Sequence, residues 1–129
     1  FIVNSAIKYN TIIFHRSDNA KKISILKNKK IKLIYSDLNK YGNMDLKFIF
    51  KKIYEEGIHN ILVECGSKLT NNILKEKLFN EFYLFKSNNK LNSNDGLNVK
   101  IIDKNLKKIF KSKENINTYL DKDLLIHYY

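Results

Sequence analysis

The sequence predicts an α/β fold, with a mostly parallel sheet at its centre and an antiparallel hairpin at the C-terminal side. Three observations carry that expectation. Strand-like and helical patterns alternate up to Ser87, the signature of βαβ units. Ile61-Leu62-Val63 is a short apolar run without alternation, the pattern of a strand covered on both faces. Beyond Ser87 the candidates are mainly strands, and the last two face each other across Asp121-Lys122-Asp123, which has turn chemistry.

Taken in order, Phe1 to Asn4 reads as a first strand and Ser5 to Asn10 as a polar connection. Thr11 to His15 is a second β-rich run, closed by the loop residues Arg16-Ser17-Asp18-Asn19. Asp18 to Asn28 is weakly helical, with Ala20, Ile23 and Leu26 at three-residue steps. Ile31 to Tyr35 is a third strand, and Ser36 to Asn43 a loop. Asp45 to Glu56 has the clearest helical pattern. Leu46, Ile49, Phe50 and Ile53 recur at helical spacing, while Lys47, Lys51, Lys52, Glu55 and Glu56 fill the other side. Asn43 or Asp45 suits its N-cap and Gly57 its C-terminal stop.

Ser67 to Lys77 is the next helix, with Leu69 and Ile73, and Leu74 and Leu78, one turn apart. Glu81 to Ser87 is an aromatic-rich strand. Asn88 to Asn98 is a loop region containing Asp95-Gly96, and apolar residues resume at Val99. Leu106 to Phe110 reads as a strand or a short helix. Ile116, Thr118 and Leu120 alternate ahead of the β-rich Leu124 to Tyr129, which completes the hairpin.

The chemistry of the chain concentrates around residues 57–72. Glu64 follows the expected central strand at its carboxyl end, where open α/β sheets place their ligands. Cys65-Gly66-Ser67 turns the chain, with Ser67 suited to cap a helix whose first N–H groups would face the same crevice. A solvated carboxylate and an ordinary helix-starting turn account for the same residues, and the spacing is not a G-x-G-x-x-G fingerprint. Cys65 reads as a small, partly buried side chain rather than a nucleophile. His59 reads as a surface residue.

Gly57-Ile58, Leu62-Val63-Glu64-Cys65-Gly66-Ser67-Lys68-Leu69, Leu74-Lys75-Glu76 and Glu81-Phe82-Tyr83-Leu84-Phe85 together resemble the reductase domain of bacterial bifunctional riboflavin-biosynthesis proteins. Cys65 stands where that family has glycine or alanine. The resemblance implies a dihydrofolate-reductase-like fold, NADPH as cofactor, and reduction of 5-amino-6-(5-phosphoribosylamino)uracil to its ribityl form. By the same resemblance Glu64 contacts the pyrimidine ribose-phosphate substrate. Gly66, Ser67, Lys68, Leu69, Thr70, Asn71 and Asn72 bind the cofactor, and Ser5 touches it too, with Asn4 where aspartate is common. No residue is assigned a covalent catalytic role. A homodimer and an upstream deaminase domain are further implications. Because the first residue is Phe1 and not methionine, the expectation is a single domain that forms the C-terminal part of a larger reductase domain.

Composition bounds the alternatives. The 129 residues are 43% hydrophobic and 12% aromatic, enough for one compact core. No 18-residue apolar run, signal peptide or lipidation motif is present in this sequence, so the expectation is a cytoplasmic chain with no membrane partner. A single cysteine excludes an internal disulfide, and His15, His59 and His127 lack metal-ligand spacing, so no metal is expected. The net charge of +11 fits a polyanion partner, but lysines are spread over nearly every segment and Arg16 is the sole arginine, so nucleic acid is not expected. Two other readings remain beside the resemblance: a pyridine-nucleotide reductase of the same fold with a pteridine-like substrate, and a basic nucleic-acid-binding module.

Overall fold

The computed structural model describes residues 2–87, 99–119 and 122–129. The expected loop at 88–98, Leu120 of the expected alternating run and Asp121 of the expected turn lie outside them. The chain divides into two compact units, Phe1–Leu62 and Val63–Tyr129. Each is built as mixed α/β structure.

In the first unit a single helical turn, α1 (Ile2–Ser5), precedes β1 (Ile12–His15), α2 (Ala20–Asn28), β2 (Lys32–Tyr35) and α3 (Leu46–Glu55). Strands β1 and β2 pair in parallel, from Ile12 opposite Lys32 to His15 opposite Tyr35, with α2 as the crossover. Local chemistry sets the helix boundaries. The Asn19 side chain accepts from the Lys22 N–H at 2.9 Å and starts α2. Asp45 accepts from Lys47 and Phe48 at 3.0 and 3.1 Å and starts α3. Gly57, at φ +81°, stops the chain just past α3 in the left-handed region that glycine adopts without strain. Lys32 forms an ion pair with Glu56, so β2 is fastened to the end of α3. Among the described residues the buried apolar side chains of this unit are Ala6, Ile31 and Leu46, and Ser36 is fully buried.

The second unit contains α4 (Ser67–Glu76), β3 (Phe82–Lys86), α5 (Val99–Ile109), β4 (Lys113–Ile116) and β5 (Leu124–Tyr128). Its sheet is antiparallel throughout, in the order β3-β5-β4. Strand alternation turns Leu84, Ile126 and Tyr128 to one face, where they pack with Leu74 of α4 and Ile102 and Leu106 of α5. Phe79, Phe82 and Phe110 border this core, their rings 5.4 to 6.0 Å apart in edge or tilted contact. The Tyr128 hydroxyl donates to Asp103, which also takes Lys107 at 2.5 Å. Burial, and then the Asp103 carboxylate, push the Tyr128 phenol up to about 12. Lys107, followed by Tyr128, holds the Asp103 carboxyl below its ordinary value.

Five expectations need correction. Phe1 to Asn4 is not a strand, because residues 2–5 close a helical turn. The apolar triplet there fits either state, and the turn delivers Ala6 to the interior. The run Ile61-Leu62-Val63 is neither paired nor covered: it lies outside every strand, and Leu62 is 83% exposed. A buried parallel strand needs a hydrogen-bonding neighbour and cover on both faces, and three apolar residues cannot specify either. Parallel pairing is accordingly confined to β1 and β2 among the described residues, in place of a mostly parallel core. The segment after residue 98 is not purely strand-forming. Ile102 and Leu106, one turn apart, belong to the buried face of the eleven-residue α5. The C-terminal strands pair antiparallel as expected, but the first of them is Lys113–Ile116 and not the alternating run from Ile116 to Leu120, since Thr118 lies outside every strand.

Candidate functional site

Residues 64–72 form a turn followed by the start of α4. The helix is held from its far side: Ile73 and Leu74 are buried, and Leu74 belongs to the core of the second unit. Its N-terminus is built differently from those of α2 and α3. The N-cap is Gly66, at φ −73° and ψ 172°, and no side chain bonds to the first turn. Ser67 is therefore the first helical residue and not the cap, a correction of one position. The backbone N–H groups of Ser67, Lys68 and Leu69 have no hydrogen-bond partner among the described residues. Such groups concentrate the positive end of the helix dipole.

Gly66 has an ordinary backbone conformation, and a Cβ built there would meet nothing within 4 Å. The fold itself does not demand glycine at this position. What the missing side chain provides is access to the three N–H groups.

Cys65 and Thr70 brace the turn from inside. Thr70 is buried, its hydroxyl donates to the Gly66 carbonyl at 3.1 Å, and Cys65 Sγ lies 3.2 Å from the Thr70 hydroxyl oxygen. The Thr70 hydroxyl is thus committed within the turn, where it locks the first helical turn to the strand-like approach of Cys65. Cys65 is half-buried, in line with a small packing side chain. Glu64, Lys68 and Asn71 are exposed, Ser67 and Asn72 half-buried, and Leu69 is 39% exposed. Glu64 makes no side-chain hydrogen bond or ion pair among the described residues, so its carboxylate is available to an outside partner.

Ser5 ends α1 in the first unit, where its carbonyl accepts from Lys8 and Tyr9 at 2.9 and 3.1 Å. Asn4 accepts from Lys29 at 3.0 Å. The structure thus brings Glu64 and residues 66–72 together in one unit and carries Ser5 in the other. No group of three or more histidine, cysteine, aspartate or glutamate side chains is placed to hold a metal among the described residues. No helix there is long and apolar enough to cross a membrane.

The sequence reading missed the division of labour at the turn. A Ser at position 67 draws attention as a cap, whereas the Cys65 and Thr70 pair, five residues apart, is the bracing element. That spacing is a local signal that a helix starting at 67 makes legible.

A mixed α/β chain whose helix N-terminus has free N–H groups, with an exposed, unpaired carboxylate two residues before the cap, fits the class of anion-binding proteins. The family comparison gives that class a definite identity. Residues 2–87 match the model of the RibD C-terminal domain, and the chain belongs to that family. Membership carries a reductase-type function in riboflavin biosynthesis. A search of curated proteins gives no match.

Proposed function

We propose that the chain carries the cofactor-binding turn of an NADPH-dependent reductase that converts 5-amino-6-(5-phosphoribosylamino)uracil to its ribityl form, within a dihydrofolate-reductase-like fold. The observation that carries the reading is the open N-terminus of α4: three free N–H groups and a glycine cap with open space where a Cβ would stand. That donor set fits a phosphate group of a dinucleotide, because backbone N–H groups and the helix dipole both favour an anion there. Lys68, exposed at the second helical position, adds a positive charge, while Ser67 on the first turn and Asn71 one turn above it add polar groups. Bound there, NADPH would supply the hydride.

The protein's own part is binding and orientation. Glu64, two residues before Gly66, offers a carboxylate that accepts from a substrate hydroxyl or ring N–H and fixes the substrate against the cofactor. Cys65 and Thr70 tie the residue that follows Glu64 to the start of the helix. Leu69 and Asn72 complete the proposed cofactor contacts on this helix, and the family resemblance alone adds Ser5. A cytoplasmic setting, a homodimer and an upstream deaminase domain belong to the same reading.

The test is NADPH oxidation followed by absorbance with purified protein and 5-amino-6-(5-phosphoribosylamino)uracil, with product mass as a second readout. The proposal expects oxidation that depends on this substrate. Turnover of a dihydropteridine in its place assigns the chain to a different reductase of the fold. No turnover of either, with NADPH failing to bind, overturns the reading.

A further inference from the structure

The sheet of the second unit has a second face, opposite Leu84, Ile126 and Tyr128, and it holds an arrangement that residues 2–87 do not contain by themselves. Tyr83 of β3, His127 of β5 and Glu114 of β4 lie side by side in register across the three strands. The His127 ring is only 14% exposed, and both of its nitrogens are engaged. Nε2 lies 3.0 Å from Glu81 Oε2, and Nδ1 lies 3.2 Å from Glu114 Oε1. Tyr83 stacks on the ring at 4.3 Å and 3° and donates its own hydroxyl to Glu81 at 3.0 Å. Tyr129 packs at 4.9 Å. The groups facing His127 are thus Glu81 and Tyr83 from the β3 side, Glu114 from β4, and Tyr129 beyond β5.

We propose that His127 is a proton-operated clasp that ties β3 and β4 to the central strand of this sheet. A carboxylate only accepts hydrogen bonds, and a neutral imidazole has one donor and one acceptor. Between two carboxylates the neutral ring satisfies one and turns a lone pair toward the other. The imidazolium donates to both. It also gains from the face of Tyr83, to which a cation is attracted. The clasp is therefore complete while the ring is protonated and both glutamates are ionised. As pH rises through the range where histidine gives up its proton, the longer of the two links, from Nδ1 to Glu114, is the one lost, and β4 loosens from β5.

The experiment uses the full chain and records ring nitrogen resonances of His127 together with hydrogen-exchange protection of the β4 amides, corrected for intrinsic exchange, from about pH 5.5 to about pH 8. The expected result is a ring protonated on both nitrogens at the acid end, with β4 protection falling by about fivefold or more as it becomes neutral. His127→Gln, which has no titrating ring, should show flat protection over the same range, and Glu114→Gln should reduce the pH dependence. The proposal is overturned if the parent's protection stays flat while the ring titrates, or if His127→Gln retains the parent's profile. Should either variant fail to fold, the parent's ring titration against its own β4 protection decides the matter.

Discussion

Replacing Gly66 with aspartate separates the fold's demands on this position from those of a bound anion. The backbone at φ −73° and ψ 172° suits an N-cap side chain, and open space surrounds the Cβ position. Aspartate is a better N-cap than glycine by a few tenths of a kcal/mol, so Gly66→Asp should melt at the parent's temperature or about one to two degrees higher. The same carboxylate would occupy the N–H groups of α4 and set a negative charge roughly 5 Å from a phosphate bound there. At an effective dielectric of about 20 that repulsion amounts to about 3 kcal/mol before screening, and about half of it survives in physiological salt. NADPH affinity should therefore fall by about tenfold or more. The assay is a fluorescence titration of NADPH alongside a thermal melt, with Gly66→Asn as a neutral side chain of the same shape that should lose less. Unchanged NADPH affinity in Gly66→Asp would refute the reasoning, since no phosphate at this helix end would tolerate the charge.

Three further outcomes are expected. Glu64→Gln keeps the size of an exposed side chain with no internal partner, so steady-state turnover should drop by about tenfold or more while the melting curve stays in place; an unchanged turnover number would remove Glu64 from substrate orientation. Leu106 is fully buried in the core of the second unit, and Leu106→Ala should cost about 2 to 5 kcal/mol in a denaturant titration; a loss under about 1 kcal/mol would show that the core between α5 and the sheet is not what holds this unit. Tyr128, pushed up to about 12, keeps its proton in the folded chain while an unfolded phenol gives it up near 10, so its contribution is full below about pH 10 and disappears as pH rises to about 12. The stability difference between the parent and Tyr128→Phe should therefore be constant across neutral pH and shrink above about pH 10, and a difference that grows there would contradict this sign.

The parts of the fold legible in the sequence are those decided within a few residues. α3 was readable because Leu46, Ile49, Phe50 and Ile53 repeat at helical spacing between Asp45 and Gly57, and both boundary residues act as their chemistry dictates. The same holds for α4, whose start shifts by only one residue, from Ser67 as the cap to Gly66. Strand existence was readable at β1, β2, β3 and β5, where β-branched and aromatic residues cluster. Strand pairing was not. Ile61-Leu62-Val63 has the composition of a buried strand, yet burial is granted by neighbours far away in sequence. His127 illustrates the same limit at the level of side chains. Nothing around residue 127 identifies Glu81 and Glu114 as its partners, since the register of two strand pairs brings them there.

Of the candidate site, the location was legible and the bracing was not. Glu64, Gly66 and the first turn of α4 were singled out by a resemblance spread over residues 57–85. The commitment of the Thr70 hydroxyl to Gly66, and its contact with Cys65, depend on the particular path by which the chain enters the helix.

The central claim, that the open end of α4 takes a cofactor phosphate, is tested most directly by following backbone amide resonances of the full chain as NADPH is added. The amides of Ser67, Lys68 and Leu69 should move most and saturate together at the affinity measured by fluorescence. Saturable NADPH binding that leaves these three amides in place, with the large shifts elsewhere, would contradict it.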